Sequence, residues 1–395
     1  MTDYSQQYHP VILDLGSRNV TYGFAGEPTP TGTMAYRDLD IQRRELQFSE
    51  VKMTKQEANE YLKTLKTDSH DLARIYAGDL QSLQWLWNYD KLRPRLGADG
   101  SIIHTDQYLE ETHLERSLYA LFLYELLIDA KSTKVIILEP HFLPEHVKKR
   151  YTYVLLNHLH VQSVTSLPSS ILTCLGAGVK SGVVIDFGWE YVTVVPVYDL
   201  RVIQDLGISS GRSAKGLHYE ILSSILQGKH LTREILTSMS CHQVFQMVED
   251  IVINRTSSAM EGPHIDDLID RYLFPARNTW KSLDSNEMSV VQLVENMIGL
   301  LPFDLKKPLQ QNVIITGGLS QVPGLKKKII EQLGLDYKEV FSLGSWSGGS
   351  IYSDNLLRGK NLVRSGELRR NEYLDGKANA TDWTSQIYRS AIEKH

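Results

Sequence analysis

Two cysteines, Cys174 and Cys241, are all that 395 residues contain. So few exclude a disulfide-stapled framework. The opening MTDYSQQYHP has no apolar secretory core, so the two read as buried free thiols in a cytosolic or nuclear protein. Long apolar runs are missing as well. No window approaches the roughly 18 uninterrupted apolar residues of a membrane helix, and no span is expected. Positive charge is in deficit: 42 Lys and Arg stand against 47 Asp and Glu, a net charge of −5, which argues against a nucleic-acid-wrapping partner. The histidines lack metal-ligand spacing. His141 and His146, like His158 and His160, have no cysteine or carboxylate at the right offset and read as surface or helix histidines. Ser169-Ser170 and Ser209-Ser210 lack the glycine frame of a nucleophile elbow.

What is present is a 42% apolar, 23% charged chain, long enough for two to three domains. Its most telling stretch is Val11 to Glu27, VILDLGSRNVTYGFAGE. An apolar run ends in Asp14, turns through Gly16 and returns toward Gly23-Phe24-Ala25-Gly26. This predicts a hairpin with a carboxylate at the turn mouth. Such a turn brings backbone N–H groups to a phosphate, while the carboxylate holds the water shell of a cation. From Pro28 to about Gly100 the chain is polar and broken by Pro94, Gly97 and Gly100, and reads as an insertion or small subdomain. Gln56 to Lys66 has the composition of a charged helix, and Trp85 and Trp87 read as packing residues ahead of a partner-docking patch.

Leu114 to Ile128 is helix-length, with Leu114, Leu118, Leu121 and Phe122 on one face. Val135 to Leu138 reads as a buried strand. Pro144 is placed as the first residue of a helix that buries Val147, Tyr151, Val154, Leu155 and His158. Lys148-Lys149-Arg150 reads as its solvated side, with a partner site as the alternative. A second strand ending in aspartate, Val183 to Asp186, has its return at Val192 to Val197. Three helical faces follow: Leu217, Ile221, Leu222 and Ile225; Val244, Met247, Val248 and Ile251; Val294, Met297, Ile298 and Leu301. Gly262-Pro263 marks a loop between the last two. Val313 to Thr316 is a strand ending in Gly317-Gly318, then a helix runs from Gly324 to Leu333 and a polar tail follows Leu362. Strands alternating with long helices give an α/β fold. VILDLGSRNVTYGFAG and VVIDFGWEYVTVVPVY share one pattern at a domain-sized separation, from Asp14 to Asp186, and predict two similar halves. Facing each other, the two turns would define a nucleotide cleft.

These segments resemble the actin superfamily. The resemblance runs through Asp14–Glu27, VIILEPHFLP at Val135–Pro144, VVIDFGWEYVTVVPVY at Val183–Tyr198, VIITGGLSQVPG at Val313–Gly324 and SWSGGSI at Ser345–Ile351, in family order across nearly the whole chain. It implies two α/β domains closing on ATP or ADP with Mg2+. The nucleotide contacts would fall to Asp14, Gly16, Ser17, Asp186, Gly188, Gly317 and Gly318, and Asp14 and Asp186 would hold the metal through water. It also implies three units: a first domain over 1–168 with a divergent small subdomain at about 28–112, a second over 169–345 with a shortened small subdomain, and a segment from 346 to 395 that returns to the first domain before a polar tail.

The departures point away from catalysis. The family's first loop has a second glycine where this chain has Arg18 and a phosphate-binding lysine where it has Thr21. Its second loop has Asp-Gly where Trp189-Glu190 stand, a bulky ring and a carboxylate beside phosphate. The glutamine that orients the attacking water is matched to Tyr153, and a nearby histidine to Thr193. The resemblance therefore implies weakened nucleotide binding, no catalytic residue and no hydrolysis by the usual route. Working ATPase chemistry is the enzyme-class alternative.

Within the superfamily the resemblance is to the divergent type of actin-related protein that caps the pointed end of the dynactin filament. It is carried by LPEHVKKRYTYVLLNHLHVQSV at Leu143–Val164, SAKGLHYEIL at Ser213–Leu222, VEDI at Val248–Ile251, Glu372-Tyr373 and Asp382-Trp383. It implies a cytoplasmic, cytoskeletal hetero-oligomer whose partners are the actin-like filament subunits and pointed-end proteins of dynactin, with no nucleic acid. A nuclear chromatin-remodelling subunit is the alternative membership.

Overall fold

The computed structural model describes residues 9–17, 19–35, 95–96, 102–103, 105–227, 241–254, 265–275, 287–358 and 367–376. The expected hairpin forms from β1 (His9–Leu15) and β2 (Asn19–Phe24), with Asp14 opposite Thr21. A third strand, β3 (Gly32–Ala35), pairs with β2. A short ribbon, β4 (Arg95–Leu96) with β5 (Ile102–Ile103), precedes α1 (Thr105–Ala120), which runs into a π turn at Leu121–Glu125. Next come β6 (Thr133–Glu139), α2 (Glu145–Tyr153) with a π turn at Val154–His158, β7 (Ser163–Pro168) and α3 (Ser169–Gly176).

The second half opens with another hairpin, β8 (Gly182–Phe187) and β9 (Val192–Tyr198), in which Asp186 lies opposite Thr193. The strands β10 (Arg201–Val202) and β11 (Ile208–Ser210) both pair with β9. Five helices follow: α4 (Ala214–Gln227), α5 (Cys241–Asn254), α6 (Ile265–Leu273), α7 (Val290–Leu300) and α8 (Phe303–Gln310). Then come β12 (Val313–Gly317), α9 (Leu325–Leu333), α10 (Gly344–Arg358), β13 (Glu367–Arg369) and α11 (Arg370–Leu374).

The strands make two mixed sheets built on one plan. The first has the order β13-β7-β6-β1-β2-β3 and the second β10-β9-β8-β12. In each, a hairpin strand pairs antiparallel with its return on one side and parallel with a later strand on the other, β1 with β6 and β8 with β12. Each sheet buries a large apolar face. Val11, Leu13, Val135 and Ile137 pack with α1 and α2, while Val183, Ile185, Val194 and Ile315 pack with α4, α5, α7 and α9. The helix faces at Leu217–Ile225 and Val294–Leu301 are buried as their spacing predicts.

The helix α3 joins the two halves. Its Leu172 packs with Ile12, Leu138 and Leu167 of the first sheet, and its Ile171 and Cys174 pack with Val184, Val197 and Ile314 of the second. The helix α10 lies directly across it. A Cβ on Gly348 would fall inside the Leu172 carbonyl, and one on Gly176 would lie 2.6 Å from the Gly344 oxygen. Only glycine lets these backbones approach so closely, and the crossing sits beneath the mouths of both hairpins. Cys174 is a buried free thiol, pushed up to about 12 by desolvation; the Cys241 side chain lies outside the described residues.

Several expectations need correction. The 28–112 insertion is too broad: Gly32–Ala35 is a strand of the first sheet, and α1 already begins at Thr105. Pro144 is the cap ahead of α2 and not its first residue. Lys148-Lys149-Arg150 is not a solvated face, because Lys148 and Arg150 are buried and Lys148 Nζ reaches Glu139 Oε2 at 2.7 Å. His158 is on the surface beside Glu115, 2.5 Å away, because the π turn slips the helical phase by one residue and turns Leu159 inward instead. Beyond Leu362 the chain is not all polar tail, since Glu367–Arg369 pairs with β7. The readings at Arg18, Gln56–Lys66, Trp85, Trp87, Gly262-Pro263 and Asp382-Trp383 lie outside the described residues.

Candidate functional site

A cavity of about 370 Å³ lies where the two hairpin turns meet, above the α3–α10 crossing. Asp14, Gly16 and Ser17 line it from the first half; Asp186, Gly188, Gly317 and Gly318 line it from the second. Every residue proposed from sequence for nucleotide or metal contact is thus brought to one wall or another of a single space. The two turns are superposable in their bonding. The Gly16 N–H donates to the Asn19 carbonyl at 3.0 Å, and the Gly188 N–H donates to the Tyr191 carbonyl at 3.0 Å. Gly317 closes the third side with φ 89°; a Cβ there would meet the Phe187 backbone and the Asp186 carboxylate. That conformation and that contact both require glycine.

The two aspartates are half-buried and line the cavity. Desolvation raises Asp14, and a hydrogen bond from Ser345 Oγ to Asp14 Oδ2, 3.0 Å long, partly offsets it. Desolvation, and then the charge on Asp14, push Asp186 up to about 6. A desolvated carboxylate raised by the charge of a second one is a group that a divalent cation would relieve.

The departures from a phosphate-binding pattern take specific positions. Trp189 lines the cavity and stands edge-on to His218, ring centroids 5.0 Å apart. Glu190 does not line it. Its Oε2 is 2.6 Å from Lys215 Nζ, so the expected repulsion of phosphate by Glu190 is cancelled by an ion pair. Thr193 lines the cavity, whereas Thr21 faces Thr33, hydroxyls 3.2 Å apart. Tyr153 is not at the site at all: it is exposed on α2 and stacks edge-on with His158. The corresponding wall is made by Ser169, Ser170 and Thr173 of α3.

The sequence reading missed other lining groups. Ser345 and His141 lie within segments already singled out, but a role for either needs the fold. His141 follows β6, contacts Gly207 and donates to the backbone carbonyl of Gln204, which joins the two halves across the base of the cleft; burial lowers its pKa and that bond partly offsets the shift. His218 and Glu249, also within quoted segments, reach the cavity from α4 and α5. Among the described lining residues there is no lysine, arginine or glutamine. The arrangement can hold a hydrated cation between two carboxylates and admit a flat ligand against glycine backbone.

The sequence of residues 5–261 matches the family model described as actin. The chain is 23% identical over 267 residues to actin-like protein ARP10 of Saccharomyces cerevisiae, covering 67% of this chain and 78% of that protein. It is 22% identical over 354 residues to actin-related protein 10 of Dictyostelium discoideum, covering 68% and 74%. Actin-related protein 2 of Saccharomyces cerevisiae is 22% identical over 239 residues, covering 54% and 59%. With two like hairpins facing across a cleft and the family model matched over most of its length, the chain belongs to the actin family.

Proposed function

We propose that this protein is a structural actin-related subunit of dynactin. In this reading it caps the pointed end of the short actin-like filament, supports dynein-based microtubule transport in the cytoplasm and hydrolyses little or no ATP. The observation that carries it is the state of the second turn. The frame of the cleft is kept, yet Trp189 faces the cavity and Glu190 holds Lys215 at 2.6 Å, so the charged groups of the second turn and the helix after it are spent on one another. Likeness to the proteins named actin-related protein 10 supports membership of a divergent branch. Any nucleotide in the cleft, ATP or ADP with Mg2+, then acts as a ligand that steadies the fold by mass action and not as a substrate.

The sheets also support a division of the chain. We place a first domain on the β13-β7-β6-β1-β2-β3 sheet and a second on the β10-β9-β8-β12 sheet, with α10 and β13 returning the chain to the first. Among the described residues no helix is long and apolar enough to cross a membrane. Affinity purification of the tagged full chain from its own cells tests the reading. Recovery with the actin-like filament and its pointed-end proteins is expected. Recovery with a chromatin-remodelling ATPase in their place would overturn it.

A further inference from the structure

A nucleoside triphosphate needs N–H donors or cations along its phosphates, and helix N-termini and glycine turns supply them. In the second half of this protein three such donors already have acceptors within the chain. The Gly188 N–H is taken by Tyr191. The N–H groups of Ala214 and Lys215, in the first turn of α4, donate to the carbonyls of Gly188 and Trp189 at 3.2 and 3.1 Å. The helix end that could receive an anion is therefore filled by the loop itself. The Lys215 ammonium is held by Glu190, with the two side chains only 15% and 13% exposed. The Trp189 ring adds bulk beside Gly188. Across the cleft the Gly16 N–H is spent on Asn19, and Asp14 and Asp186, one from each half, bring two carboxylates to the wall.

The wall beside Asp186 is different. There the Gly317–Gly318 backbone lines the cavity, with open space above Gly318. Val252, Ile253 and Leu319 supply an apolar wall, and Glu249 stands among them, a residue type that accepts from ribose hydroxyls. The volume falls within the ordinary range for small-ligand sites.

We propose that the second half of the cleft has given up phosphate binding, and that the cavity takes a nucleoside whose phosphate chain adds little to its affinity. This rests on reading the cleft as a ligand site, which is part of the proposed function, but it is separable from assembly: recovery with filament subunits does not depend on these affinities.

The test is calorimetric titration of the full chain with adenosine and with ATP, each with Mg2+. The dissociation constants are expected within about tenfold of one another, whereas a working phosphate cradle would separate them by more. Replacing Trp189 and Glu190 together by glycine frees Lys215 and the loop, and should tighten ATP at least about tenfold while adenosine stays within about threefold. Lys215→Ala alone should leave ATP affinity within about threefold. ATP binding more than tenfold tighter than adenosine on the unaltered chain, or no adenosine binding, overturns the proposal. So does a tenfold loss of ATP affinity in Lys215→Ala, which would show the ammonium on phosphate; that variant keeps the test open if the double replacement does not fold.

Discussion

Gly16 and Gly188 hold the same place in two copies of one hairpin. Each lies two residues after a cavity aspartate, and each N–H donates to the carbonyl three residues on at 3.0 Å. A Cβ on either would sit 2.9 Å from that carbonyl, Asn19 in one case and Tyr191 in the other. The contact is with backbone, so the turn must open to relieve it. Gly16→Ala and Gly188→Ala should each cost about 1–2 kcal/mol. Gly318→Ala, with nothing within 4 Å of its Cβ, should cost less than about 0.5 kcal/mol. Urea unfolding of the three variants checks this, and a Gly318 cost equal to the other two would contradict it.

Asp186 gives the cleft a pH signature. Its carboxyl is raised from 3.8 to about 6 by desolvation and then by Asp14. Between those values the folded chain holds a proton that the unfolded chain has released. Stability from this group is therefore full below about pH 4 and lost as pH rises through about 6, a change of roughly 3 kcal/mol for two units. The difference in stability between the unaltered chain and Asp186→Asn isolates the effect, measured without ligand from pH 4 to 7. The variant should gain on the unaltered chain as pH rises, and added Mg2+ should narrow the gap at pH 7. A constant difference across that range would refute the assignment.

Hydrolysis is expected to be absent. Among the described lining residues none is a glutamine, Thr193 stands on the wall, and Tyr153 lies outside the site on α2. Phosphate release with ATP and Mg2+ should stay at background, and Asp14→Ala should leave it there. Turnover abolished by Asp14→Ala or Asp186→Ala would sink the structural-subunit reading.

The two hairpins, their aspartates and the strand ending in Gly317 were legible because each is local: an apolar run, a carboxylate, a glycine and a return. Their repetition at a domain-sized separation then suggested that the two turns face each other. What sequence could not supply was the partner of each charged group. Glu190 reads as a charge aimed at phosphate until α4 places Lys215 against it. Lys148 reads as solvated until β6 brings Glu139 beneath α2. His158 was misplaced because a π turn changes the helical phase, which regular spacing does not reveal. Tyr153 was matched along the chain to a residue of the site, but its helix faces away from the cavity.

The Lys148–Glu139 pair gives the correction an energetic test. Lys148 is 4% exposed, its ammonium 2.7 Å from Glu139 Oε2, while Lys149 next to it is exposed and only 3.5 Å from Glu145. Removing one partner of a buried pair leaves the other charge uncompensated. Lys148→Ala should cost about 3 kcal/mol and Lys149→Ala no more than about 0.5 kcal/mol. Thermal or urea unfolding separates them, and equal small losses would return the stretch to a solvated face.

The ends of α1 and α2 repeat one device with different residues. After each π turn a residue takes the left-handed conformation, Leu127 at φ 55° and His160 at φ 58°. The chain then closes with a bond six residues back, Ile128 N–H to Phe122 and Val161 N–H to Leu155. His160 is compensated, since its Nδ1 lies 3.0 Å from the Arg370 guanidinium. Leu127 is 78% exposed. A left-handed non-glycine residue costs roughly 1–2 kcal/mol, and glycine gives back about half in unfolded-state entropy. Leu127→Gly should therefore stabilise the protein by about 0.5 kcal/mol or more, whereas His160→Gly should destabilise it by losing the Arg370 contact. Opposite signs in urea unfolding are the expected result. A loss in Leu127→Gly comparable to that in His160→Gly would show that the leucine side chain supports the fold despite its exposure.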